Sequence, residues 1–471
     1  MPAFFSYHKK MRSTCTKAPL VIFLAILCSC AVYHPKQIDQ NAVSRILAPP
    51  DLKQIRVKAG QIKHPILKPR SIDYSKGISA QDAAIIAVIA NPALRAERDS
   101  LGIARAQLLQ AGILPNPTFS YNLDVPTGGS DQGTVNAYGF GLNWDIKALL
   151  TRGAKIDAAR TEQASVNLDI AWREWQVAQS AKLEFYKVKM LEHQLNVIQS
   201  EERELRQNLK AIEKAVDEGN MTIVDLDAVA STVRRAHSTA LEVGRKLKQE
   251  RLRLNFVLGF PPSSSIPLRK NISQPAIKKL PALDEIMKGI EDRRLDILAL
   301  KQGYKSQEAS LRAAVRAQFP DISIGFSHAR DTTNVITTGF SVSIDIPVFD
   351  RNQGRIAIEK ASRQQLYDEY LNRIFQARAD AAGILADIKA VEAQIDAAGK
   401  SVRALEKLVN VSYSGFLEGN IDALSYYNEV DRLTTRRLDV LKLKQDLAEL
   451  YVALEISAGE YFGKSGKSGG V

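Results

Sequence analysis

Cysteine is almost missing from this chain: 471 residues hold three, Cys15, Cys28 and Cys30, all near the N-terminus. Cleavage of a leader before Cys30 leaves that one thiol, which excludes disulfides and thiolate metal sites from the mature protein. The five methionines form no cluster, so a soft-metal relay is excluded. The six histidines, His8, His34, His64, His193, His237 and His328, are scattered without an HExxH or H-x-x-x-H spacing, so each is read as structural or at the surface. The glycine-rich stretch Thr127 to Gly133 has no Gly-Lys-Ser/Thr after it and reads as a loop. Asp225 and Asp227 are two apart, and on a helix such residues do not share a face. No catalytic, cofactor or metal constellation is expected. Beyond the leader no run of 18 apolar residues occurs, so a membrane crossing has to be made by β-strands. The net charge is +12, yet Lys and Arg alternate with Asp and Glu along the helical regions, and no nucleic-acid partner is expected.

The N-terminus is specific. Lys9, Lys10, Arg12 and Lys17 precede the apolar run Pro19 to Leu27, followed by Cys28-Ser29-Cys30. A basic segment before a short apolar one is a secretory signal, here residues 1–29. Leu27-Cys28-Ser29-Cys30 resembles a bacterial lipobox, which makes Cys30 the expected lipidation site. Ala31 follows it, where Asp would oppose sorting to the outer membrane.

The rest of the chain is written twice. Glu218-Gly219-Asn220 returns as Glu418-Gly419-Asn420, and Gly259 as Gly459, both at a spacing of 200. From Lys155 to Asp217 there is neither Pro nor Gly, and Ala181, Phe185, Val188, Leu191, Leu195 and Ile198 recur at intervals of three and four. Ile384, Ile388, Val391, Ile395, Ala398, Val402, Leu405 and Val409 do the same in the second copy. That is the seam of a coiled coil. A helix of roughly 60 residues is about 95 Å long, too long for a compact domain. Gly219 and Gly419 suit the left-handed residue past a helix end. Return helices are expected from about 222 to 258 and from 422 to 458. Residues 80–113 and 284–318 read as shorter helices that make up the remaining length.

Between the short and long helix of each copy lie strand patterns. Thr118 to Val125 alternates apolar and polar residues, and Tyr138, Phe140, Leu142, Trp144 and Ile146 alternate with Gly139, Gly141, Asn143 and Asp145. Ile322, Ile324 and Phe326, then Phe340, Val342, Ile344 and Ile346, repeat the pattern. Such strands suit a transmembrane barrel with one face to lipid and one to a lumen. Four strands cannot close around a lumen, and unpaired edges are prohibitive in lipid. The chain is therefore expected to oligomerise.

Two copies of helix, strand pair, long helix, glycine turn and return helix resemble the TolC family of outer-membrane efflux proteins. Ala90-Asn91-Pro92-Ala93-Leu94, Gln110 to Pro117 and Ile346 to Arg355 are similar to the CzcC-like heavy-metal branch. The resemblance implies a fold mainly α with a β-barrel: a trimeric α-helical tunnel and a shared twelve-stranded transmembrane barrel, two repeats per chain. It divides the mature chain into an equatorial segment 30–79, repeat 80–260, equatorial linker 261–283, repeat 284–462 and a flexible tail 463–471. It implies a homotrimer in outer-membrane lipid, acting as passive exit duct for an inner-membrane pump of RND type and a periplasmic adaptor. Metal cations or small toxic molecules are the expected cargo; a type I protein-secretion duct and a periplasmic adaptor are the alternatives. Gly219, Asn220, Gly419 and Asn420 would be the periplasmic tips where the adaptor docks. Some members ring the closed entrance with acidic residues. The matching positions here are Ser425 and Asn428, flanking Tyr426 and Tyr427, while the first copy keeps Asp225. A gate narrowed by Tyr426 or Tyr427 is the expectation, with packing between helices as the alternative for either ring.

Overall fold

Helix lengths follow from what interrupts them. In the computed structural model, residues 32–129, 133–270 and 280–462 are described; the leader, Cys30 and the tail 463–471 lie outside them. Residues before Pro49 form a unit of their own, with α1 (Gln40–Leu47) capped by the Asp39 carboxylate. From Pro49 onward the chain runs α2 (Leu52–Gly60), a 3-10 turn at Tyr74–Lys76, α3 (Ala80–Ala90) and α4 (Pro92–Gly112), then β1 (Thr118–Asp124) and β2 (Ala137–Asp145). The long helix α5 (Lys147–Asp217) and its return α6 (Ile223–Leu258) complete the first copy. The second copy has α7 (Leu283–Met287), α8 (Ile290–Arg293) and α9 (Leu295–Arg316), then β3 (Ile322–Arg330), β4 (Ile336–Ile344), α10 (Gln353–Leu417) and α11 (Ala423–Ala458).

The expected short helices are broken in both copies. Asn91 leaves the helical region and caps α4, its side chain accepting from the Ala93 amide, with Pro92 at the first helical position. In the second copy the breaks fall at Gly289, which has positive φ, and at Arg294. The breaks at Asn91 and Arg294 each receive the end of their own return helix. The Asn91 amide donates to the Val257 carbonyl at 2.9 Å, and the Arg294 guanidinium to the Ser457 carbonyl at 3.2 Å. Gly259 and Gly459 close those helices in the left-handed conformation, and a Cβ on Gly259 would overlap the Ala90 carbonyl. The break is thus a repeated joint between helix ends.

The main core lies around these joints. Trp172, Trp175, Phe185 and Val188 of α5 pack with Ala83, Ile86 and Ala87 of α3. The small Ala side chains let α3 sit flush on the long helix. Asp82, buried, completes the capping box with Ser79 and pairs with Arg70 at 2.5 Å. Ile78 and Leu268 form a parallel β-bridge that ties the segment before α3 to the segment after α6. A second joining is ionic: the buried Lys182 ammonium of α5 meets Glu455 of α11.

The two long helices are not equivalent in burial. Ala181, Phe185 and Val188 of α5 are within 1 % of full burial, whereas in α10 the seam positions Val391, Ile395, Val402, Leu405 and Val409 are half-buried. The cleaner heptad belongs to the less covered helix. The cause is position: α5 packs against α3, α4, α6, α9 and α11, while α10 packs mainly on α9 and α11. Tyr367, Leu371 and Phe375, four residues apart on α10, are exposed.

All four strands form one antiparallel sheet in sequence order. Tyr121 faces Phe140, Leu142 faces Phe326, and Phe326 faces Phe340 in register, so alternation gathers the large apolar residues on one face. The rings of Phe119, Tyr121 and Tyr138 cluster on Phe140. On the opposite face Ser120, Asn122, Asn143, Ser327 and Ser341 alternate with glycines. The apolar face is open, with Phe340 72 % and Phe119 64 % exposed. β1 and β4 are unpaired edges.

Candidate functional site

The hairpin turns Asp217 to Ile223 and Leu417 to Ala423 are built alike. Gly219 and Gly419 both have φ 75 and are exposed. Their amides donate to Val216 and Phe416, and the next amides, of Asn220 and Asn420, to Ala215 and Gly415, a Schellman closure. The Asn220 and Asn420 side chains donate back to Glu218 and Glu418 at 3.3 and 3.0 Å. The return helices start on different caps. Thr222 and Asp225 form a reciprocal capping box in the first, and Asp422 accepts from the Ser425 amide and hydroxyl in the second.

Three of the residues expected at the constriction are engaged within the fold of the single chain. The Asp225 carboxylate accepts from the Thr222 amide and hydroxyl, so it serves the cap. Tyr427 and Tyr426 are 2 % and 8 % exposed, and neither ring faces open space. They pack with Phe416, which stacks on Tyr426 at 5.3 Å, and with Tyr413. Burial raises both phenols above the ordinary tyrosine range. Within the single chain both rings pack between helices. Ser425 and Asn428 are exposed on α11.

One core joins the two tips: Ile198, Leu205, Val229 and Val233 of the first hairpin pack with Tyr426, Tyr427 and Val430 of the second. Above it the seam becomes polar. Arg235 of α6 pairs with Asp431 of α11 at 2.5 Å. Beside them a cavity of about 290 Å³ is lined by Glu201, Thr434 and Asp439 among others. Burial first, then the neighbouring Glu204, raises the Glu201 carboxyl above its ordinary range. Sequence reasoning missed this seam and the Asp422 cap. The cap was legible, an acidic residue three before Ser425; the seam was not, since Arg235 and Asp431 share no local spacing.

No described helix is long and apolar enough to cross a membrane. No group of three or more His, Cys, Asp or Glu among the described residues is placed to hold a metal ion.

The chain matches the family Outer membrane efflux protein over residues 86–260 and 287–460, one match to each copy of the repeat. The cobalt-zinc-cadmium resistance protein CzcC of Cupriavidus metallidurans is 23% identical over 301 residues, 63% of this chain and 70% of that protein. The cation efflux system protein CusC of Escherichia coli is 24% identical over 262 residues, 53% of this chain; the match spans about half of CusC, 56%. Among solved structures, CusC superimposes with a TM-score of 0.69 at 18% identity, covering 88% of this chain and 99% of CusC. The outer-membrane channel OprN gives 0.70 at 16% identity, over 92% and 100%. The Neisseria gonorrhoeae MtrE outer membrane channel gives 0.66 at 17%, over 92% and 98%. The chain belongs to the outer membrane efflux protein family and has its fold, a helical tunnel joined to a β-barrel.

Proposed function

We propose that the mature chain assembles as a homotrimer, anchored by a lipid on Cys30, and serves as the passive exit duct of a tripartite efflux system. The observation that carries this reading is the sheet: one apolar open face, one polar face, and two free edges. Unpaired edges are prohibitive in lipid, so β1 of one protomer pairs with β4 of the next and a closed wall results. The exposed stripe Tyr367, Leu371 and Phe375 then meets a neighbouring protomer instead of water. Residues 30–79 and 261–283 form the equatorial belt, and 80–260 and 284–462 the two repeats.

Gly219, Asn220, Gly419 and Asn420 present the docking surface for a periplasmic adaptor, which links the duct to an RND-type inner-membrane pump. The entrance narrows at Ser425 and Asn428, backed by the tyrosines beneath them. Cargo is proposed as metal cations, from the relatives named for cation efflux and for cobalt, zinc and cadmium resistance. The duct itself performs no chemical step.

A photocrosslinking residue at Asn220 or Asn420, used in intact cells, tests the docking. Capture of an adaptor belonging to a cation pump is the expected result. Capture of an adaptor of a protein-secretion system would replace the cargo assignment, and an intact trimer that captures no periplasmic partner from either position would overturn the tripartite reading.

A further inference from the structure

On the sheet side of the joints the helices stand side by side in the order α4, α5, α9, α10. This row, like the sheet, ends in two unpaired edges. α5 is covered on both flanks, by α4 and α6 of its own copy and by α9 and α11 of the other. α10 has mainly α9 and α11, both of its own copy. The residues that α5 turns to the second copy have counterparts on α10, 200 residues on, and those are open. Ser165 and Tyr186 are buried, Gln365 and Ala386 exposed; Ala158 is half-buried and Ile358 is 58 % exposed.

The other copy shows the reverse. Asn91 and Arg294 are equivalent caps, so Ile103 of α4 answers to Ser306 of α9, each twelve residues past its cap. Ser306 is buried, and Ile103 is 63 % exposed. Val452 of α11 is buried in the main core, while its counterpart Leu252 of α6 is exposed. The contact between the copies has a fixed register. The Ser306 hydroxyl donates to the Ala158 carbonyl at 2.9 Å, and the Ser165 hydroxyl to the Ala299 carbonyl at 2.8 Å. Glu455 of α11 takes both the Lys182 ammonium and the Gln179 amide of α5. Carried to the equivalent positions, this register sets Ile103 on Ile358, Ala96 on Gln365 and Asn255 beside Ala382.

We propose that the subunit seam repeats the contact between the two copies: α10 of one protomer receives α4 and α6 of the next, with Ile358 meeting Ile103. The inference rests on the trimer reading and adds to it the partner face and its register. The chemistry departs from the template. Within the chain the seam is tied by serine hydroxyls and a buried ion pair. At the equivalent subunit positions stand Ile103, Ile358, Ala379 and Ala382, so that seam closes by taking apolar surface out of water. Its sizes are also inverted. Where α5 presents the large Lys182 and Tyr186, α10 presents Ala382 and Ala386, and on α6 Leu252 and Phe256 are exposed and large enough to fill the difference.

Disulfide trapping of the full chain in isolated outer membranes tests the register. Ile103→Cys combined with Ile358→Cys, oxidised with copper phenanthroline, should give covalent dimers and trimers on a non-reducing gel. A disulfide needs Cα atoms within about 7 Å. Ile103→Cys with Phe375→Cys, displaced by about 25 Å along the helix, should therefore give none. Ala96→Cys with Gln365→Cys is the second in-register pair, used if the first fails to assemble. Ile103→Ser, which copies Ser306, should lower the temperature at which the trimer dissociates while helix content stays unchanged. Trimers that link through neither in-register pair, or as readily through the displaced one, overturn the seam and leave the trimer intact. Unchanged heat resistance of the Ile103→Ser trimer overturns the apolar closure. A chain that stays monomeric in the membrane overturns the seam together with the trimer reading.

Discussion

Buried in the segment that follows α2, the His64 ring accepts the Ile66 and Leu67 amides at Nδ1, each at 3.0 Å, and its Nε2–H donates to the Ala171 carbonyl at 2.8 Å. That pattern requires the neutral ring, because a proton on Nδ1 would face two donors. Glu174 stands 3.8 Å away but is already held by Arg98 at 2.5 Å. Burial outweighs the nearby carboxylate and lowers the imidazole below its ordinary value. A lowered folded-state value means the unfolded chain binds the proton first. The contribution is complete above about pH 6.5 and is lost as pH falls from there through the folded value. Glu184 has the opposite sign. Burial, and then its contact with Glu250 across the α5–α6 interface, pushes its carboxyl up to about 7. Its stabilising contribution is present below about 4.5 and lost as pH rises through 7. Thermal melting of the solubilised protein separates the two. His64→Gln should flatten the fall in stability between pH 6.5 and 5. Glu184→Gln should raise stability at pH 8, by an amount of order 1 kcal/mol at a site only partly shielded from solvent, and leave pH 4 unchanged. Parallel curves for variant and native protein would contradict either assignment.

Glycine at a helix end makes the next comparison possible, since Gly219 and Gly259 share a left-handed backbone, with φ 75 and 74, but not a setting. Nothing lies near the position of a Cβ on Gly219, while on Gly259 it would meet the Ala90 backbone. Gly219→Ala should therefore cost about 1–2 kcal/mol, the backbone penalty alone, and still give heat-resistant trimers on a gel. Gly259→Ala has to push the α3–α4 joint apart and should abolish them. Equal yields would refute the joint. This element was half legible in the sequence. The return helices ended where their glycines said, and Asn91-Pro92 carried a full start signal for α4, an Asn cap before Pro. The residues around it, Ala87 to Leu94, are apolar enough to read as one continuous helix, and that pattern hid the break. At Arg294 the signal is incomplete: Asp296, two residues on, is a local partner, but the Ser457 carbonyl that receives the guanidinium is supplied only by the tertiary fold. The same reasoning covers Tyr426 and Tyr427. Sequence placed them correctly beside the turn, but whether a ring faces a lumen or a neighbour depends on helices of the other hairpin. The strands were the most legible elements, because strict alternation fixes the faces and a shift of one residue would invert them all.

Across the whole molecule the sheet and the tunnel impose separate tests. Phe340→Arg places a charge on the open apolar face and should lower barrel stability by about 2–4 kcal/mol per protomer if that face meets mid-membrane lipid. Thr337→Arg, on the polar face of the same strand, should assemble. Equal assembly of both variants would refute the facing. The hairpins carry another requirement, one of gauge. Return helices α6 and α11 have 36 residues each, and from Gly219 to Gly259 and from Gly419 to Gly459 the count is identical. Both are suspended from equivalent joints, so the two tips hang level. One heptad inserted into a single hairpin would drop its tip by about 10 Å, and in the proposed homotrimer this would turn a flat rim into a crown of alternating heights. Changes of length are thus admissible only when made in four helices together, so the distance the duct reaches below its joints is a quantised property, stepping by whole turns in both repeats at once.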